Sequence, residues 1–371
     1  MPNNDNKGNA SSPNSQQKQQ QEWNPFVGPR SFRRNAEEQR LFFGRNYETE
    51  RIISLIYSHK LVLVYAQSGS GKTSIFNASI IPTLEQRALE VLPVARVGIG
   101  SIVPVASSED HANINSTITT TTSSSTDTAN VNESRSEFNP YISNASQSLL
   151  PKQTQDHSLL MNLSLSQFLS IYFPHKTDQK RGRQIPQVLV FDQLEELFNL
   201  YVDPDKWHEQ QNDFFKQITQ ALEKDPLLRV VIIIREDYLA QLDPFAEVLP
   251  EKLKPRFRLE RLHKDAAVEA IKGPLEKAKA FVNNERLITK LFDEGIIDKL
   301  IEDLLKIHVE TFGGKYREIN GEYVEPIQLQ VVCQRLWNKL IHSEVDQISK
   351  DYFGYLGDVD KALEDFYVDA I

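Results

Sequence analysis

Leu61-Val62-Leu63-Val64-Tyr65-Ala66-Gln67-Ser68-Gly69-Ser70-Gly71-Lys72-Thr73 is the stretch that decides the fold. Its first five residues form a short apolar run that ends in a glycine-rich turn, the pattern of a strand buried on both faces. A helical pattern from Ser74 to Leu84 follows the turn. In that setting the backbone N–H groups of the turn can converge on phosphate oxygens, and the helix adds the positive end of its dipole. The candidate binding residues are Gln67, Ser68, Gly69, Ser70, Gly71, Lys72, Thr73 and Ser74. Lys72 would reach the β- and γ-phosphates, and Thr73 would offer its hydroxyl to Mg²⁺. The usual pattern opens on glycine, whereas this chain has Ala66. At a positive φ that alanine would cost about 1 kcal/mol; in the extended region it would be nearly free.

Two further apolar runs end in groups suited to the same ligand. Val188-Leu189-Val190-Phe191 runs into Asp192, the way such folds present a carboxylate near Mg²⁺. Glu195 and Glu196 lie one turn beyond, and either could polarise an attacking water as general base, the other being a solvated helix face. Asp192 comes 120 residues after Lys72, a long interval explained by a polar insert at 106–148 rich in Ser and Thr. Val230-Val231-Ile232-Ile233-Ile234 ends in Arg235, at the strand end where open α/β sheets bind ligands. Arg235 could contact the γ-phosphate charge or pair with a neighbouring acid. The convergence of Lys72, Asp192 and Arg235 carries the reading, and it requires the three strands to be parallel and adjacent.

Weaker strand candidates are Val91–Val97 and Phe257–Leu262. Helical spacing covers Asn35 to Tyr57, then Phe214, Phe215, Ile218 and Leu222. Later it covers Leu287, Leu291, Ile296, Leu300, Leu304 and Leu305, and finally Leu329, Val332, Cys333, Leu336 and Leu340. Strands alternating with helices, followed by helices alone after about 264, predict an α/β fold. The expectation is a P-loop NTPase with a doubly wound, mostly parallel sheet and a smaller all-helical lid domain. The domains expected are a disordered Asn/Gln/Ser tail at 1–22, the NTPase domain at 23–263 with the disordered insert at 106–148, and the helical domain at 264–371.

Composition narrows the function. With 42 Lys+Arg against 51 Asp+Glu the net charge is −9, which argues against a general nucleic-acid-coating protein. One cysteine, Cys333, excludes an internal disulfide and any multi-cysteine zinc site; its apolar helical position reads as a buried thiol. The eight histidines are scattered without metal-ligand spacing. No apolar run approaches the roughly 18 residues of a membrane span, and no hydrophobic signal core opens the chain, so a cytoplasmic protein is expected. Arg256, Arg258 and Arg261 read as a solvated strand face, with nucleotide or partner contact the alternative.

These residues resemble the STAND class of P-loop NTPases, and more closely the bacterial novel STAND ATPase domain. The likeness runs from about Asn24 to the C-terminus, apart from the polar insert. Asn24-Pro25-Phe26-Val27-Gly28-Pro29-Arg30-Ser31-Phe32 is similar to the family's N-terminal segment, and Phe42-Phe43-Gly44-Arg45 to its Gly-Arg element near the adenine. The loop and Asp192-Gln193-Leu194-Glu195-Glu196-Leu197-Phe198 match its Walker motifs, and Arg235 falls at its sensor arginine. Ala270-Ile271-Lys272-Gly273-Pro274 resembles the module whose proline borders the base, and Pro326 to Trp337 a late helix of that module.

The resemblance implies ATP/ADP with Mg²⁺, Gly44, Arg45 and Pro274 around the base, slow hydrolysis that resets a signalling switch, self-association in the ATP state, and an unknown effector or sensor partner. The net charge of −9 and the lack of a long apolar run give no reason to expect nucleic acid or membrane. ATP over GTP rests on the resemblance alone. The chain departs from the family at Ala66 and at Gln193, where a second acid is usual. Members usually continue into a winged-helix domain, so the chain reads as a fragment or as a free-standing switch module. Two other classes compete with the switch: a P-loop small-molecule kinase or other metabolic ATPase, and a non-catalytic nucleotide-binding scaffold.

Overall fold

The computed structural model describes residues 24–98, 138–151, 163–199, 205–278, 294–311 and 315–341, together with Lys361, Glu364 and Val368. The strands in chain order are β1 (Leu61–Ala66), β2 (Glu90–Val91), β3 (Thr177–Asp178), β4 (Arg183–Gln184), β5 (Gln187–Phe191), β6 (Leu228–Arg235), β7 (Arg256–Arg258), β8 (Leu262–His263), β9 (Lys306–Thr311), β10 (Lys315–Asn320) and β11 (Tyr323–Val324). Five of them form one sheet in the order β2-β5-β6-β1-β7, every pairing parallel.

The apolar runs are continuous because both faces of the sheet are covered. Leu61, Leu63, Leu189, Phe191, Val230, Ile232 and Ile234 point to one core, and Val62, Val64, Val188, Val190, Val231 and Ile233 to another. The first core is closed by helices Pro140–Leu149, Leu165–Tyr172 and Trp207–Lys224; the last buries Phe214, Phe215, Ile218 and Leu222, as their spacing predicts. The second is closed by helix Asn46–Ser58 and by the helical run Lys72–Ile75, Phe76–Ile80, Ile81–Gln86, whose middle turn is π-helical. This is the doubly wound α/β arrangement.

Adjacency of the three motif strands holds only in part. β6 lies between β1 and β5, so the loop strand and the aspartate strand are second neighbours, about 10 Å apart at the usual strand spacing.

The Asn35–Tyr57 pattern is two helices, Ala36–Gln39 and Asn46–Ser58, interrupted around Gly44 at φ +80°. The strand expected over Val91–Val97 is regular only at Glu90–Val91, with one further bridge from Ala95 to Phe191. Phe257–Leu262 divides into β7 and β8, and β8 leaves the main sheet to pair with β11.

Two boundaries need correction. The polar insert does not extend to 148: Pro140–Leu149 is a helix that buries Tyr141, Ile142, Ala145 and Leu149. Asn139 caps it, accepting from the N–H groups of Tyr141 and Ile142 at 3.0 and 3.2 Å, and Pro140 sits at the first turn. Four apolar residues at helical spacing outweigh the Ser/Asn composition around them. The part after 264 is not purely helical either. It holds helices Lys264–Ala278, Glu294–Leu304 and Pro326–Ile341, and between the last two lie the antiparallel ribbon β9–β10 and β11. Its strands alternate charged with apolar residues (Lys306-Ile307-His308-Val309-Glu310), a period-two signal short enough to pass for the end of the preceding helix. The three helices share a core of their own, built around Ile271, Leu275, Ile297, Leu300, Val332, Cys333 and Trp337. The expected tail at 1–22, most of the insert, and Leu287 and Leu291 lie outside the described residues.

Candidate nucleotide-binding site

The glycine turn leaves β1 at Ala66, which is fully buried and paired in register with Arg235 of β6. Ala66 is a strand residue and is not among those at positive φ, so alanine costs almost nothing there. The left-handed positions are Gly69 (φ +79°) and Gly71 (φ +90°), the latter at the start of helix Lys72–Ile75. A Cβ built on either glycine meets nothing within 4 Å. Backbone conformation requires these glycines, and the space above them stays open for a ligand.

Side chains from distant parts of the chain meet over this turn. Lys72 Nζ donates to the carbonyls of Ala66 and Gln67, both at 3.0 Å. Burial pulls its pKa down, opposed by the charges of Glu195 and Asp192. Thr73 Oγ1 donates to Asp192 Oδ2 at 3.0 Å, so the loop hydroxyl and the strand-end carboxylate come together despite the intervening strand. Asp192 is buried, its N–H donates to Ala95 O at 3.0 Å, and its Oδ1 accepts the N–H of Gln193 at 3.0 Å. Arg96 Nη2 also donates to Asp192 Oδ2 at 3.0 Å.

The two glutamates part company. Glu195 Oε2 accepts the N–H of Arg235 at 3.2 Å and lines the cavity over the glycine turn. Glu196 does not line it. Its carboxyl is packed against Gly98, its Oε2 is buried without a hydrogen-bond partner, and burial pushes its pKa up. Arg235 lines the cavity while its guanidinium pairs with Asp237 and lies 5.5 Å from the Tyr238 ring centroid. The hydrogen bond it donates to the Asp237 carboxylate raises its pKa.

The cavity encloses about 380 Å³, inside the range of roughly 300–1,000 Å³ for small-molecule sites. Ser68 to Ser74, Asp192, Glu195 and Arg235 form its polar end. Phe42, Phe43, Leu262, Ala270, Ile327 and Leu329 supply apolar wall. Gly28 to Phe32 and Gln330 also line it, and composition carried no sign of their role. The N-terminal segment is tied to both sides of the cavity. The N–H of Val27 donates to Gln330 Oε1 at 3.0 Å, and that of Phe32 to Ser74 Oγ at 3.3 Å.

Arg45 lines the cavity as a buried strut, donating to Glu48 Oε1 at 2.6 Å and to the Ser70 carbonyl at 3.1 Å; burial lowers its pKa. Gly44, Gln67 and Pro274 are not among the lining residues. Gly44 is pressed against the backbone carbonyl of Ala266, where a Cβ would overlap the oxygen. Pro274 is buried in helix Lys264–Ala278, one residue from Gly273, against which the Phe43 ring packs. The neighbour one turn earlier that does reach the cavity is Ala270. Arg256 is hydrogen-bonded to the Leu253 carbonyl, and Arg258 and Arg261 are ion-paired with Glu236, Glu260 and Glu325; none of the three lines the cavity. Cys333 is a buried free thiol. Among the described residues no helix is long and apolar enough to cross a membrane.

Among curated proteins, the DNA mismatch repair protein MutL of Rickettsia canadensis (strain McKiel) is 29% identical over 153 residues, which is 36% of this chain and 25% of that protein. The chain thus spans about a quarter of the length of that relative. Among solved structures, the Walker-type ATPase paby2304 of Pyrococcus abyssi has a TM-score of 0.44 at 14% identity, covering 90% of this chain and 74% of that one. The ORC2 protein of Aeropyrum pernix in ADPNP–ADP complexes has a TM-score of 0.43 at 10% identity, covering 86% and 67%. The ORC1 protein of Aeropyrum pernix in complex with DNA has a TM-score of 0.43 at 13% identity, covering 88% and 66%. The family model described as Novel STAND NTPase 1 matches residues 25–366. Because that match takes in the N-terminal segment, the glycine turn, the strand-end aspartate and the later helices alike, this chain belongs to the novel STAND NTPase 1 family and is a P-loop NTPase.

Proposed function

We propose that the chain is an ATP-binding, slowly hydrolysing switch of the signal-transduction type, whose two parts, residues 23–263 and 264–371, change arrangement or assembly with ATP against ADP. The observation that carries this reading is the shared cavity. Its phosphate end belongs to the sheet rim, and its apolar wall includes Ala270, Ile327 and Leu329 from the later helices. A ligand touching both parts favours whichever arrangement it contacts better.

In this reading the loop residues Gln67 to Ser74 hold the phosphates, with Lys72 swinging from its own loop carbonyls to the β- and γ-phosphates. Arg235 is poised to leave Asp237 for the γ-phosphate. Glu195 is the general base, because its carboxylate faces the cavity and Glu196 does not. The hydroxyl of Thr73 and the carboxylate of Asp192 are hard oxygen donors 3.0 Å apart, which suits Mg²⁺. When bound, the metal supplies neutralisation of phosphate charge. Arg45 fixes the loop through the Ser70 carbonyl, and Gly44 and Pro274 act one layer behind the wall that faces the base. Self-association in the ATP state, an effector or sensor partner and a cytoplasmic site are part of the same proposal.

The test is to purify the chain, identify the nucleotide it carries, and measure its mass and small-angle scattering with ADP and with a non-hydrolysable ATP analogue. Lys72→Ala should abolish nucleotide binding while leaving the circular dichroism spectrum intact. Unchanged ATP affinity in that variant refutes the reading. Transfer of phosphate to a small-molecule acceptor would favour a kinase, and bound ADP that never exchanges would favour a scaffold.

A further inference from the structure

Arg96 takes no part in the mechanism above, yet it stands directly beside the carboxylate assigned to the metal. Nη2 of Arg96 donates to Asp192 Oδ2 at 3.0 Å, and Nη1 bonds to Gln193 Oε1. The arginine's own N–H donates to Ser148 Oγ at 2.9 Å, which anchors it to helix Pro140–Leu149. Its side chain is 33% exposed, whereas that of Asp192 is 4% exposed.

A carboxylate has about four acceptor positions. On Oδ2 two are taken, by the Thr73 hydroxyl and by Arg96; on Oδ1 one is taken, by the N–H of Gln193. Among the described residues that leaves a single position on Oδ1 for a further partner. Arg96 therefore fixes which oxygen stays available. It also holds the side chain of the next residue, Gln193, whose φ of +60° is left-handed and rarely adopted without glycine. A buried carboxylate needs a positive partner. Lys72 hydrogen-bonds to the loop carbonyls, so among the described residues the cation ion-paired with Asp192 is Arg96.

We infer that Arg96 is a positioning residue that orients the Asp192 carboxylate and neutralises it whenever no divalent cation is there, so that nucleotide can bind before or without the metal. The inference rests on the nucleotide-site reading proposed above. Without the arginine, the bare carboxylate repels polyphosphate until a cation arrives, and binding becomes steeply metal-dependent.

The experiment measures the Kd of the full chain for a fluorescent ADP analogue in excess EDTA and in saturating Mg²⁺. R96M should weaken binding in EDTA about tenfold, the effect of one unit charge a few ångströms from the phosphates, and leave the Mg²⁺ value nearly unchanged. Arg96→Lys, which keeps the charge, should retain most of the EDTA affinity. In the D192N background R96M should no longer change the ratio of the two Kd values. Equal losses in EDTA and Mg²⁺, the mark of a merely structural residue, overturn the inference, as does an unchanged ratio in R96M. Should R96M not fold, R96Q keeps a donor without the charge and is held to the same two outcomes. A wild-type chain that binds ADP in neither condition overturns the nucleotide reading itself, and this inference with it.

Discussion

Replacing Gly44 by alanine tests how the cavity is held closed. Gly44 separates the two N-terminal helices at φ +80°, and a Cβ there would overlap the carbonyl oxygen of Ala266 in the first turn of helix Lys264–Ala278. Two penalties add. The left-handed backbone costs an L-residue about 1 kcal/mol, and forcing a methyl group against fixed backbone costs about 1–3 kcal/mol more. The obstacle is backbone, not the flexible end of a side chain, so relief requires the helix to move. Gly182 supplies the control. It too is left-handed, at φ +61°, but a Cβ on it meets nothing within 4 Å, and it lies in the turn between β3 and β4 away from the cavity. G182A should therefore carry only the backbone term, and the difference between the variants reports the overlap. Equilibrium urea unfolding should give a loss of about 2–4 kcal/mol for G44A against about 1 kcal/mol for G182A. ADP affinity should fall in G44A alone, since Arg45, the next residue, braces the Ser70 carbonyl of the loop. If G44A proves no less stable than G182A, the close approach between the N-terminal segment and the later helices is not the contact described.

Other expected outcomes are independent of that contact. Glu195→Gln should keep ADP binding and lose phosphate release, with Glu196→Gln hydrolysing as the wild type does; the reverse pattern in a steady-state assay would refute the assignment of the base. Glu196 has a folded-state pKa raised by burial, so its contribution to stability is present in acid and is lost as pH rises through and above the ordinary carboxylate range. E196Q should accordingly gain melting temperature relative to wild type as pH goes from about 4 to 7, and a gap that shrinks with rising pH would contradict this sign. Phe26 belongs to the N-terminal segment yet is buried in the core of the later helices; Phe26→Ala should cost about 3–5 kcal/mol in urea unfolding, and a change near zero would refute the packing. Burial pushes the Cys333 thiol well above its usual pKa, so iodoacetamide should label it only in denaturant, and rapid labelling of the native chain would show otherwise.

Individual residues show how far the sequence could be read. Gly69, Gly71, Lys72 and Thr73 are legible because their chemistry is local: a tight turn needs left-handed glycines, and the next two side chains leave that turn in a fixed direction. Asp192 and Arg235 are legible as the polar ends of apolar strands. Arg96 is not, since it follows a two-residue strand with no periodicity and owes its place to Ser148, 52 residues on. Glu195 and Glu196 look alike in one dimension; the turn at Gln193, with its positive φ, sends one towards the cavity and the other against Gly98. Helix Pro140–Leu149 was masked by its Ser/Asn content, although Asn139-Pro140 is a recognisable helix start. Pro274 illustrates a register effect: the neighbouring turn of the helix borders the cavity, so Ala270 lines it and the proline does not.

By itself the sequence determined the class of the fold and the place of its glycine turn, because strands buried on both faces must be apolar throughout and a phosphate loop must be rich in glycine. Only the tertiary structure decided the strand order. β6, late in the chain, enters between β1 and β5, and the contact of Thr73 with Asp192 is made across it. The order was not legible because parallel strands are joined by long crossovers, and a crossover of given length can reach more than one position in the sheet. For the same reason the closure of the cavity by Gly28 to Phe32 and by helix Pro326–Ile341 had to be seen in three dimensions: those contacts join residues some 300 positions apart, and no local spacing records them.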